Sequence, residues 1–286
     1  MVKPALLLSA TALCALFTMG GFGLTAGSAS AQVSDQCAAP TLVSPASARD
    51  LPRTSVALSR TRDFRVVAVG SSSTEGTGAS GPTMTYPAQL DQILEARFPG
   101  AKIDVVNKGI GGETAAGTLA RLDRDVLALK PDLVIWQLGT NDALRNVDAK
   151  TFATQAVEGI ERIRRSGADL LLLEPQFLPK QAGNATYAAY VDAVRALGAA
   201  NGVPVFRRSA VMRYWLDHKQ FTATTMLSGD QLHMTDASYH CLAELMANAI
   251  VPSAMPAVEP PSTNASAQAI KLLSGPTAVR NAEMPR

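Results

Sequence analysis

Five short apolar runs, separated by stretches with helical spacing, leave this chain few folds to choose from. The runs cover residues 66–69, 103–106, 133–138, 170–173 and 203–206. They are apolar on both sides of their alternation, so each reads as a strand covered on both faces. Between them, residues 86–98 place Leu90, Ile93 and Leu94 on one side and stop at Pro99 and Gly100. Residues 115–129 align Leu119, Leu122, Val126 and Leu129, and residues 187–197 align Tyr190, Val191, Val194 and Leu197. Residues 151–165 form another helical stretch, ended by Ser166 and Gly167. Further helices are expected over 52–62, 210–217 and 236–250. Strand followed by helix, repeated five times, predicts one doubly wound α/β domain over residues 53–251. The chain is 47% hydrophobic and 17% charged, which fits a globular domain rather than a disordered one. A formal net charge of +2 carries no footprint of a nucleic-acid partner.

The two ends read differently. Lys3 precedes an apolar run over residues 5–17, Gly20, Gly21 and Gly23 loosen the segment after that run, and Ala29 and Ala31 form an A-x-A site. Residues 1–31 are expected to be a signal peptide cut after Ala31, with an uncleaved anchor helix as the alternative. The mature chain would then be periplasmic or secreted, with no other stretch able to span a bilayer. It would keep Cys37 and Cys241. In an oxidising compartment these can bridge, and a disulfide is the expectation; two buried thiols is the other reading. Residues 32–52 form an extended lead-in rich in Ser, Ala and Pro. Residues 252–286, with repeated Pro and Ser, are expected to be a disordered tail.

In an open parallel sheet, ligands bind beyond the carboxyl ends of the strands. There this chain places "GSSSTEG" (70–76), "NKGIGGET" (107–114), "GTND" (139–142) and, before the last helix, "DQLHMTD" (230–236). Each alone is a plausible turn or helix cap. A phosphate loop is disfavoured, because no Gly-Lys-Ser/Thr or dinucleotide glycine pattern is present. Together the four hold the parts of acyl transfer. A serine hydroxyl needs a base, which His233 can supply, and Asp230 three residues earlier can fix its tautomer. Gly112 can offer a bare backbone N–H and Asn141 its side-chain amide to a developing oxyanion. Asp142 is expected to make a local backbone contact, Ser73 to begin or cap a turn, and Trp136 to sit in the core. Met226, Leu227 and Met234 either pack or line an acyl pocket. His218 is expected to be solvated. No third ligand at sensible spacing joins His233 and His240 in a metal site.

These four blocks resemble those of the SGNH hydrolases, also called GDSL esterases and lipases. They come in the right order across residues 66–240. The resemblance implies a flavodoxin-like three-layer α/β/α sandwich with a five-stranded parallel sheet. It implies Ser72 as nucleophile, Asp230 and His233 as acid and base, Gly112 and Asn141 as oxyanion donors, and no metal or organic cofactor. One departure stands out: where the family often has Asp before the nucleophile, this chain has Ser71.

The expected function is an exported serine esterase acting on a small-molecule or glycan ester. An O-deacetylase or O-acyltransferase of an envelope or extracellular polysaccharide would use the same residues with a different acceptor. A catalytically idle carbohydrate-binding module on the same fold is the non-enzymatic alternative.

Overall fold

The computed structural model describes residues 34–40, 42–43 and 49–251. The expected signal peptide and tail, and part of the lead-in, lie outside the described residues. Five strands, β1 (Asp63–Gly70), β2 (Lys102–Gly109), β3 (Leu133–Gln137), β4 (Asp169–Leu173) and β5 (Val205–Phe206), pair in parallel in the order β2-β1-β3-β4-β5. Val66 faces Val105 on one side and Leu133 on the other, and Leu133 in turn faces Asp169. The chain starts near the middle of the sheet, adds β2 on one flank, then crosses back to build β3, β4 and β5 on the other.

β1 and β2 are longer than their apolar runs. Their added ends are polar but paired: Arg65 lies opposite Asp104 in the ladder and its Nε donates to the carboxylate at 2.8 Å. β5 is shorter than expected because Pro204 has no N–H to give to the ladder; its carbonyl still accepts from Leu172 N at 3.0 Å.

Among the described residues, ten α-helices surround the sheet: α1 (Pro52–Val56), α2 (Ser72–Glu75), α3 (Tyr86–Arg97), α4 (Ala115–Asp125), α5 (Thr140–Leu144), α6 (Ala149–Arg165), α7 (Ala185–Asn201), α8 (Arg208–Asp217), α9 (Ala223–Met226) and α10 (Asp236–Ile250). Two expected helices are interrupted. α1 passes into a π-helical turn at Ala57–Thr61, closed by Arg62 at φ 54°. α4 stops at Asp125; of the residues expected to continue its apolar side, Val126 follows the helix and Leu129 lies in a 3-10 turn, Leu127–Leu129, closed by Lys130 at φ 52°. Among the described residues, no helix is long and apolar enough to cross a membrane.

Side-chain alternation along the strands sorts the core into two layers. Val66, Ala68, Leu133, Ile135, Leu171 and Leu173 meet residues of α3, α8 and α10. Val67, Val69, Val134, Trp136, Leu170 and Leu172 meet α4, α6 and α7. Each Val, Leu or Ile side chain among these, when removed from water, contributes about 1.5–3 kcal/mol. Cys37 and Cys241 are joined by a disulfide, 204 residues apart in sequence, which ties the lead-in to α10. Trp215 Nε1 donates to Cys37 O at 3.1 Å, and Gln220 Nε2 donates to the carbonyls of Asp35 and Ala38. Cross-links of this kind typically add about 2–4 kcal/mol.

Trp136 is fully buried, and Gly159 of α6 makes room for it. A Cβ on Gly159 would stand 2.4 Å from the indole ring. Gly159→Ala should therefore lower unfolding free energy by about 1–3 kcal/mol through overpacking, although alanine is the better helix former by about 1 kcal/mol. Urea denaturation measures this; a stabilised variant would show that the indole moves aside freely.

Candidate active site

β1 delivers three consecutive serines, and the structure gives each a different task. Gly70 ends the strand against Gln137 of β3, so tightly that a Cβ would lie 2.8 Å from the Gln137 side chain and carbonyl. Ser71 is buried, and both its N–H and its Oγ donate to Gln137 Oε1, at 2.8 and 2.9 Å. Where relatives often carry an acid, this chain thus has a hydroxyl that leans on a neighbouring side-chain amide. Ser73 is also buried, and its Oγ donates to Gln176 Oε1 at 3.0 Å. Ser73 lies in the first turn of α2, as expected, but caps nothing: the N-cap is Ser71, which gives the helix no side-chain bond, and the Ser73 hydroxyl is drawn across to Gln176 beyond β4. Ser72, at the first position of α2, is the one half-exposed serine of the three, and its Oγ lies 2.7 Å from His233 Nε2.

His233 comes from a loop closed by the antiparallel bridge between Leu227 and Met234. The Ser228 N–H donates to the His233 carbonyl at 2.7 Å, and Gln231 takes φ 58° to complete the turn. This folds Asp230 back, so that its Oδ2 meets His233 Nδ1 at 2.5 Å. Its Oδ1 accepts from Leu232 N, His233 N and Ser228 Oγ. Burial raises the Asp230 carboxyl, but the hydrogen bonds from His233, Leu232 and Ser228 outweigh it and hold the group well below the usual carboxylate range. Met226 and Met234 are fully buried in the core, so they pack; Leu227 is also nearly buried.

The loop after α2 is fastened to this histidine. Gly78, at φ 93°, sits where a Cβ would be 2.4 Å from Met234 O and 2.9 Å from His233 Cβ. Tyr239 OH donates to Thr77 O at 2.8 Å. Ser80 donates through both N–H and Oγ to the Asp236 carboxylate at the start of α10.

Gly112 and Asn141 face each other across Glu113. Asn141 Nδ2 donates to Glu113 O at 2.9 Å, which leaves the second N–H of that amide for a ligand. Gly112 takes φ 74°, and a Cβ there would lie 2.9 Å from Nη2 of Arg145, so the guanidinium borders this loop. The Glu113 carboxylate is nearly buried and is forked by Arg121, with Thr118 Oγ1 as a further donor at 2.8 Å. Asp142 makes the expected contacts with nearby backbone, at Gly139 and its own N–H, and also reaches further: its Oδ1 accepts from Ala115 N at 3.1 Å, at the start of α4. Burial pushes its carboxyl above the usual range.

Of the other histidines, His218 stacks on Tyr214 with ring centroids 3.7 Å apart. His240 Nδ1 lies 2.7 Å from Gln89 Oε1.

This arrangement, a parallel α/β sandwich with Ser, His and Asp converging beyond the strand ends, is the architecture of the SGNH hydrolases. The chain belongs to the Non-GDSL lipase-like family, whose model matches residues 36–255. It is 44% identical over 75 residues to an acetylxylan esterase of Geobacillus stearothermophilus, covering 26% of this chain and 34% of that protein. It is 28% identical over 168 residues to an arylesterase of Vibrio mimicus, covering 58% of this chain and 78% of that one. The match to the first relative thus spans about a third of its length. Among solved structures, an alpha/beta hydrolase enzyme, LAE5, from the metagenome of Lake Arreo in Spain superposes with a TM-score of 0.55 at 27% identity, over 65% of this chain and 94% of that one.

Gln176 has no counterpart in the sequence expectations. It is buried, takes the Ser73 hydroxyl on Oε1, gives Nε2 to Leu232 O at 2.8 Å, and accepts from Tyr187 OH on its own carbonyl. One amide therefore bridges the residues beside Ser72 and His233. Gln176→Glu keeps the shape but sets a carboxylate against the Leu232 carbonyl unless it is protonated. The variant should lose kcat as pH rises, by about tenfold or more between acid and neutral pH, with KM little changed. Parallel thermal melts should separate this from unfolding. A rate profile identical to wild type would show that the bridge does not position the pair.

Proposed function

We propose that the chain is an exported serine hydrolase of carboxylic esters. The observation that carries this reading is the continuous hydrogen-bonded line from Ser72 Oγ through His233 to Asp230. His233 Nε2 takes the Ser72 proton as Oγ attacks the ester carbonyl. Asp230 Oδ2 holds Nδ1–H, which fixes the tautomer and balances the imidazolium. The negative oxygen of the intermediate is received by the Gly112 N–H, the free N–H of Asn141 and the N–H of Ser72, which opens α2 and so has no intrahelical acceptor. The same imidazolium then gives its proton to the leaving alkoxide, and an ester of Ser72 remains. Water, activated by His233, releases the acid. No step draws on a metal or an organic cofactor.

The similarity to an acetylxylan esterase favours removal of an O-acyl group from a glycan as the particular reaction. Export rests on the leader-like residues 1–31 and is supported by the disulfide, which suits an oxidising compartment.

A serine-directed phosphonate should add one label, on Ser72, found by peptide mass spectrometry. Ser72→Ala should abolish labelling and nearly all hydrolysis of a chromogenic acetate ester. Asn141→Ala should lower kcat by about 10²–10³ with little change in KM. An adduct on Ser71 or Ser73 would overturn the assignment.

Because Asp230 stays ionised well into the acid range, its carboxylate should add nothing to the loss of kcat/KM on mild acidification; a pH–rate profile of Asp230→Asn beside wild type checks this. Asp230 also links pH to stability. A carboxylate depressed on folding stabilises the fold above its unfolded value of about 3.9, and that contribution fades as pH drops through the lower folded value. Asp230→Asn should remove this acid-side slope from the unfolding curve; an unchanged slope would place the pH dependence elsewhere.

A further inference from the structure

A cavity of about 320 Å³ lies beyond the ends of β4 and β5, between α7 and the first turns of α8. Four charged side chains line it: Arg195, Arg207, Arg213 and Asp192. Arg195 is already committed. It forks the fully buried Glu174 carboxylate at 2.7 and 3.1 Å and reaches Asp192 at 3.3 Å. Glu174 in turn accepts from Ser209 N at the start of α8, so neither it nor that helix end is open to a ligand. Two cations are left over. Among the described residues, Arg207 and Arg213 have no carboxylate partner. The guanidinium carbon of Arg213 lies over the Phe177 ring, 4.7 Å from its centroid, which anchors it at the cavity wall. Arg195 holds two carboxylates, Glu174 and Asp192, so the three guanidinium groups leave a net +1 in this region, a surplus matched to one negative charge.

We infer that this cavity is a binding site for a carboxylate carried on a sugar-sized unit, an acidic branch or neighbour of the acylated residue in the substrate. This rests on the esterase reading for its place in the reaction, though not for the binding itself. A planar guanidinium pairs with a carboxylate through two parallel hydrogen bonds. The volume falls at the low end of small-molecule sites, about 300–1,000 Å³, which suits a single ring. Asp192 at the rim repels a dianion more than a monoanion, which favours carboxylate over phosphate. The cavity wall also continues directly from the bridging amide. Phe177 in its wall directly follows Gln176, whose amide bonds Ser73 and the carbonyl next to His233. A substrate held there has its acidic unit on the same rim of the sheet as Ser72.

The test uses the full mature chain. Titration calorimetry of Ser72→Ala with glucuronate, glucose and inorganic phosphate should show glucuronate binding that weakens with added salt, weaker phosphate binding and none for glucose. Arg207→Ala/Arg213→Ala in that background should weaken glucuronate by at least about tenfold. In the active enzyme, the same double substitution should raise KM for acetylated glucuronoxylan oligosaccharides by a similar factor. It should leave kcat, and the rate on 4-nitrophenyl acetate, unchanged. Equal glucuronate binding with and without the two arginines, or glucose binding as well as glucuronate, would overturn the site. Phosphate binding more tightly than glucuronate would overturn the choice of ligand. If glucuronate binds as described but wild type cleaves no ester, the esterase reading fails while the carboxylate site stands.

Discussion

Parallel pairing forces the carboxyl end of every strand onto one edge of the sheet, and each piece of the site inherits its position from that edge. Ser72 follows β1, Gly112 follows β2, Asn141 follows β3 and Gln176 follows β4. His233 alone arrives by another route, on the loop that leads into α10. Residues 161 positions apart meet at hydrogen-bonding distance because two separately anchored elements overhang the same edge. The apolar layers on both faces of the sheet fix where those elements can lie. A geometry with a tolerance of tenths of an ångström is thus held by burial that has no direction of its own.

Directionality comes from a second set of groups beneath the reacting ones. Gln137 and Gln176 are both buried, and each would be costly if left without partners. Gln137 satisfies itself on Ser71 and Gln176 on Ser73 and Leu232, so the serines on either side of Ser72 are locked while Ser72 is left to meet His233. The Glu113–Arg121 pair does the same for the loop that carries Gly112. Removing one member of such a buried pair typically costs about 3–5 kcal/mol, because the other charge is left behind. Site geometry and local stability therefore share the same bonds.

The strands and the four rim blocks were legible because they are written in local patterns: continuous apolar runs, helical spacing, and glycine beside a polar residue at a strand end. What escaped depends on distant partners. The ends of β1 and β2 look like loop until Arg65 meets Asp104 across the ladder. The break in α4 leaves the leucine spacing intact and shows only in the backbone. Ser73 looked like a turn residue because serine suits turns, yet its acceptor lies 103 residues away; Asp142 keeps its local contacts and adds a donor 27 residues away. Gln137 and Gln176 obey no spacing rule. Their only signal is a lone amide at or just past the end of a fully apolar strand, where a buried polar group must find a partner.

The loop between α2 and α3 is fastened at Thr77, Gly78 and Ser80 to Tyr239, His233 and Asp236, that is, to the histidine and the helix behind it. A segment stitched at three points over four residues has no slack for insertion or deletion. Grafts or libraries meant to change which esters the protein accepts would disturb the histidine itself if placed there. The exposed turns at 144–146 and 179–186 carry no such fastening to the histidine and border the oxyanion loop and the arginine-lined cavity. Variation in length and chemistry can collect there at little expense to the reacting groups, which makes those turns the natural place for this scaffold to diverge from its relatives.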